Sequence, residues 1–240
     1  MIKKRRYTLG RWLLAFAVAI MLPLSACEDE PTHALFVFDV SGSSRSANTG
    51  LVLVARQRLV EKVDQVEEGD SITAYGFNYK PGNSCQPIKA DFPRQDNSET
   101  ADQLKEDLKA GIPTTFDSYV ECLINGEHGY SGKGSAIFGA IPEALIKAGG
   151  TEKISSIHLV TDGCSFGEGD PTCSKTMLKK DFAKQFVESL PVSLKPDLDG
   201  SSLVVEGLGQ GTDLQSDRIA VLREIWIEYG SATGATTNFI

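Results

Sequence analysis

Leu35-Phe36-Val37-Phe38-Asp39-Val40-Ser41-Gly42-Ser43 sets four apolar residues in an unbroken run before a carboxylate and two hydroxyls. Without polar alternation, such a run is expected of a strand buried on both faces, as in a parallel sheet between helices. The chain leaving that strand emerges at the carboxyl edge of the sheet, where open α/β sheets bind ligands. Asp39, Ser41 and Ser43 offer hard oxygen ligands at alternate positions, and Gly42 frees the backbone to turn so that they converge. Hard cations such as Mg²⁺ and Ca²⁺ select oxygen donors of this kind.

Reading outward, strands and helices alternate. Asn48 or Thr49 is placed to cap a helix carrying Val52, Ala55, Leu59, Val63 and Val66, at helical spacing. Ser71 to Phe77 reads as a strand. Residues 78–98 are rich in Gly, Pro, Asn and Asp and hold one short strand-like piece, Pro87 to Phe92. Helices are expected at Glu99 to Ala110, with Leu104 and Leu108 inward, and at Ser135 to Ala148, where Pro142 bends or breaks it. Ile154 to Val160 reads as a buried strand, Ser174 to Leu190 as a helix and Leu203 to Leu208 as a last strand. Asp213 to Tyr229 then closes the chain with Ile219, Leu222, Trp226 and Tyr229 on one face. This alternation predicts an α/β fold with a mostly parallel sheet covered by helices on both sides.

A second acidic strand end follows the same logic. Ile157-His158-Leu159-Val160 runs into Thr161-Asp162-Gly163, so in a parallel sheet Asp39 and Asp162 leave at one edge. Between them lies the glycine-rich Gly132-Lys133-Gly134-Ser135, which puts a further hydroxyl at a helix start. Here a resemblance becomes definite. Phe36 to Ser43 is similar to the first metal-site motif of von Willebrand factor type A domains, D-x-S-x-S. Leu159 to Gly163 is similar to the family's second acidic motif, in the same order and at a similar separation. Ser135 stands where the family usually has a threonine, keeping the hydroxyl and losing a methyl group. The likeness covers roughly residues 34–235 and includes the closing helix from Arg223-Glu224-Ile225-Trp226. It implies a Rossmann-like three-layer sandwich. It also implies a Mg²⁺ (or Mn²⁺ or Ca²⁺) ion held directly by Ser41, Ser43 and Ser135, with Asp39 and Asp162 acting mostly through bound waters. Mainly neutral direct ligands leave the ion short of negative charge, so the expected partner is a protein that offers an acidic side chain.

Enzyme readings fail residue by residue. A dehalogenase-type phosphatase needs a second Asp where Ser41 stands. A phosphate-binding loop at Gly132-Lys133 needs a glycine at Glu127 and a Ser or Thr at Gly134. A nucleophile elbow at Gly129-Tyr130-Ser131 needs a glycine at Lys133. His33, His128 and His158 are scattered, with no H-E-x-x-H; His158, inside a strand, reads as packed core, and Trp226 and Tyr229 likewise. No general base supports a hydrolase that uses the ion as a Lewis acid. The expectation is therefore a binding module and not an enzyme; a structural envelope scaffold with a vacant metal site is the alternative.

The N-terminus reads as an address. Residues 1–11 are basic, and Trp12 to Leu24 form an apolar run too short for the roughly 20 residues of a membrane-spanning helix. Leu24-Ser25-Ala26-Cys27 resembles the lipobox of bacterial lipoproteins, in which the cysteine is acylated and becomes the new N-terminus. The expected organisation is a signal peptide at 1–26, a lipidated tether at 27–33 and a domain at 34–240. Cys27 then anchors the protein in the cell envelope on the extracytoplasmic side, periplasm-facing in a two-membrane envelope. Without the five basic residues of the signal, the net charge of −8 becomes −13. A chain that acidic repels nucleic acid. Four cysteines remain, an even number that favours disulfides in an exported protein. Three pairings are possible; Cys164–Cys173 as a loop staple and Cys85–Cys122 as a longer link are favoured. Zinc is disfavoured because no C-x-x-C pair occurs.

Overall fold

All seven residues of the first strand, β1 (His33–Asp39), are buried, as an uninterrupted apolar run requires. They serve two cores at once. Leu35 and Val37 face one hydrophobic cluster, while Ala34, Phe36 and Phe38 face the other. In the computed structural model the described residues are 31–41, 50–78, 84–94, 98–125, 136–149, 154–165 and 172–240. Pro31–Ile240 form one compact unit.

The remaining elements in chain order are α1 (Leu51–Asp64), β2 (Ser71–Phe77), β3 (Ile88–Asp91), α2 (Ser98–Asn125), α3 (Ile137–Ala148), β4 (Ile154–Val160), α4 (Phe182–Ser189), β5 (Ser202–Glu206), α5 (Ser216–Thr233) and β6 (Thr236–Phe239). The six strands lie in the order β3-β2-β1-β4-β5-β6, parallel except for β3, which pairs antiparallel with β2. One core joins α1 and α2 to the sheet through Leu51, Ala55, Leu59, Ile112, Phe116 and Leu123. The other joins α3, α4 and α5 through Phe138, Ile141, Phe186, Leu222 and Trp226. Phe138 stacks on Trp226 with ring centroids 4.9 Å apart. The fold is a Rossmann-like three-layer α/β sandwich.

The structure corrects several expected boundaries. The helix expected to end at Ala110 runs through Pro113 to Asn125. Leu104 and Leu108 are only half-buried; the inward positions are Ile112, Phe116, Tyr119 and Leu123, at helical spacing further along. The expected helix from Ser174 to Leu190 is broken. A 3-10 turn, Lys175–Leu178, precedes α4, and Asp181 between them takes a left-handed φ of 58° that no continuous helix tolerates. The chain does not close on a helix: β6 adds a sixth strand after α5, and its Thr-Thr-Asn-Phe sequence, half exposed at a sheet edge, carries no apolar run to announce it. Helix α1 begins behind Gly50 at φ 57°, and the expected caps Asn48 and Thr49 lie outside the described residues.

Candidate functional site

Strand order reverses between β1 and β4, because the chain builds outward from β1 to β2 and β3 and then returns to the other side of β1. Crevices at such switch points, beyond the carboxyl ends of the strands, are where open α/β sheets bind ligands. Asp39 is the last residue of β1, and Asp162 lies two residues beyond β4, which pairs in parallel with β1 through Phe38 and Val160. The two carboxylates therefore leave at the same edge, on adjacent strands.

Both acids make the same local turn. The Ser41 N–H donates to Asp39 Oδ1 at 2.7 Å, and the Cys164 N–H donates to Asp162 Oδ1 at 2.8 Å. Asp and Ser favour such turns because their short side chains reach backbone groups two residues on. The turns are linked to each other: Thr161 Oγ1 donates to Asp39 Oδ2 at 3.3 Å and accepts the Gly163 N–H at 3.1 Å. Asp39, Ser41, Thr161 and Asp162 are all buried. Backbone bonds from neighbouring strands complete the rim. Val40 N–H donates to Phe77 O, Thr161 N–H to Glu206 O and Gly209 N–H to Asp162 O. The Ala136 N–H, just before α3, donates to Asn78 O at the end of β2. Thus the chain ends of β1, β2, β4 and β5 and the approach to α3 meet at one rim.

Of the five residues expected to hold a metal, the structure brings Asp39, Ser41 and Asp162 to this rim. Ser43 and Ser135 lie outside the described residues, as does Cys27. Among the described residues no three His, Cys, Asp or Glu side chains gather as a metal cluster. Among the described residues, Asp39, Ser41, Thr161 and Asp162 bring carboxylate and hydroxyl oxygens to the rim, a set that fits Mg²⁺, Mn²⁺ or Ca²⁺ and not a soft transition metal. Thr161 is the rim residue that sequence reasoning passed over, although it stands beside Asp162. Its contribution rests on a partner 122 positions away.

Both favoured disulfides are present. Cys164–Cys173 closes a nine-residue separation directly beyond Asp162, and Cys85–Cys122 ties the segment before β3 to α2. A second polar cluster lies on the α1 face of the sheet. Arg58 and His158 both engage Glu206 at the end of β5, at 3.1 Å and 3.0 Å. Hydrogen bonds donated to Glu206 and Glu61 hold the Arg58 guanidinium well above its ordinary pKa. His158 is thus a half-buried partner of Glu206 and Phe36, not the fully packed residue expected. Trp226 and Tyr229 are core, as expected. Among the described residues no helix is long and apolar enough to cross a membrane.

No family model and no curated protein matches the chain. Among solved structures, the human COPII-coat protein Sec24c is similar at 14% identity and a TM-score of 0.41, over 89% of this chain and 30% of its own. Proximal thread matrix protein 1 from the mussel byssus is similar at 16% identity and a TM-score of 0.40, over 88% of this chain and 42% of its own. The chain therefore spans less than half the length of either protein.

Proposed function

We propose that this chain is a von Willebrand factor type A domain in a bacterial lipoprotein, and that it grips a protein partner through a shared divalent cation. The observation that carries the reading is the convergence of Asp39 and Asp162 at the switch point, with the Thr161 hydroxyl bonded to Asp39. Ser41, Ser43 and Ser135 would hold the ion directly, and Asp39 and Asp162 would orient its waters. When bound, the cation supplies an unsatisfied positive charge at the rim. The residues of this chain do the rest: the paired turns fix the carboxylates, and the buried strand ends keep them from bulk water, where charge–charge attraction is weak. The preferred partner group is a carboxylate from another protein. No bond is made or broken. Lipidation at Cys27 would hold the domain in the cell envelope, outside the cytoplasm.

The test uses the full-length chain purified in detergent. Mg²⁺ at about a hundredfold excess over its dissociation constant should stabilise the wild type by about 2.7 kcal/mol. Asp39→Ala should lose that response. An equal rise in melting temperature in both proteins would exclude the site.

A further inference from the structure

Asp162 is not held by its own strand alone. Its Oδ1 accepts the backbone N–H of Cys164, and the Cys164 side chain is bonded to Cys173. Cys173 takes a left-handed φ of 62°, a conformation that side chains other than glycine seldom adopt, and leads into the 3-10 turn carrying the fully buried Met177. The bridge therefore connects the donor of the Asp162 hydrogen bond to the hydrophobic core below α4 and α5. Thr172 braces the same connection: its hydroxyl donates to Gly163 O at 3.1 Å and accepts the Ser165 N–H. Cys164, Ser165 and Thr172 are all buried.

We propose that the Cys164–Cys173 disulfide positions the Asp162 carboxylate for cation binding, so that the bridge and the bound ion stabilise one another. The inference rests on the metal-binding reading above. A residue that orients a metal ligand through a hydrogen bond commonly changes metal affinity 10- to 100-fold when removed. Cys164 acts in this way on Asp162, which in the proposed site orients water on the ion, through a backbone N–H whose location the bridge fixes. The second disulfide is an internal control, since neither Cys85 nor Cys122 bonds to Asp39, Ser41 or Asp162.

Calorimetric Mg²⁺ titrations of the full-length chain in detergent should give equal affinities for the wild type and the Cys85→Ala/Cys122→Ala variant. The Cys164→Ala/Cys173→Ala variant should bind about 10-fold more weakly or worse. A second measurement needs no variant to fold. Excess dithiothreitol reduces each bridge to two thiols, supplying two electrons and two protons and closing to its own cyclic disulfide. Because coupling between sites is reciprocal, saturating Mg²⁺ should resist reduction of Cys164–Cys173 by the factor by which reduction of that bridge weakens Mg²⁺ binding, and leave Cys85–Cys122 unaffected. Alkylation and mass spectrometry read both bridges in one sample. Wild-type affinity in the Cys164→Ala/Cys173→Ala variant, or equal reduction of Cys164–Cys173 with and without Mg²⁺, overturns the inference and leaves the metal site standing. Absence of Mg²⁺ binding by the wild type overturns both.

Discussion

Thr161 Oγ1 donates to Asp39 Oδ2 at 3.3 Å, joining residues 122 positions apart at the ends of adjacent strands. The same oxygen accepts the Gly163 N–H at 3.1 Å, so one hydroxyl supports both acidic turns. Thr161→Val keeps the shape and removes both bonds. It should destabilise the fold by about 1–3 kcal/mol, the usual result of leaving a buried polar group unsatisfied. Thr161→Ser keeps the hydroxyl and should lose only about 0.8 kcal/mol for the buried methyl. Urea denaturation distinguishes the two, and comparable losses in both would show that the hydroxyl plays no part.

Gly163 makes a different demand on the same turn. Its φ of +82° is left-handed, and an added Cβ would meet Leu208 Cδ2 at 2.7 Å and Leu222 Cδ1 at 3.2 Å. Gly200 has a similar φ of +76° with nothing within 4 Å. Gly200→Ala should therefore show backbone strain alone, on the order of 1–2 kcal/mol. Gly163→Ala should exceed it by about a further 1–3 kcal/mol, the ordinary range for overpacking. Thermal denaturation of the pair measures the difference. Equal losses would refute the packing argument.

His158 gives the fold a mild sensitivity to acid. Burial lowers its pKa below the ordinary 6.5; Glu206 opposes that, while Arg58 and Lys62 add to it, with Glu61 also close to the cluster through Arg58. The unfolded chain therefore takes up this proton more readily than the folded one. Stability from the neutral ring is complete above about pH 6.5 and declines as pH falls through the lower folded value. His158→Gln should flatten the stability profile between pH 7 and pH 5. A variant profile as steep as the wild type's would locate the acid response elsewhere.

The proposed lipid anchor is tested at Cys27. Cells expressing Cys27→Ser should release the protein from sedimented membranes into the soluble fraction, because acyl chains contribute about 0.8 kcal/mol per buried methylene. Retention of the variant in the membrane pellet would argue for another attachment.

Local pattern made much of this protein legible. The run at Leu35–Phe38 and the strands at Ser71–Phe77 and Ile154–Val160 were readable because alternation or continuity of apolar residues belongs to a single segment. The acids at two strand ends were readable for the same reason. The full length of helix α2 is hidden in the sequence because Pro113 and a polar first half mask a buried face that begins only at Ile112. The last strand, β6, has no local signal because its ordering comes from pairing with β5 and not from its own composition.

The sequence by itself determined most of the element types, the candidate ligands and the Cys164–Cys173 staple, all properties of residue chemistry and short-range spacing. Only the tertiary structure decided which strand ends are neighbours, that Thr161 bonds to Asp39, and that Arg58 and His158 share Glu206. Those contacts depend on strand order and register, which arise when distant segments pack together and are encoded in no one stretch of the chain.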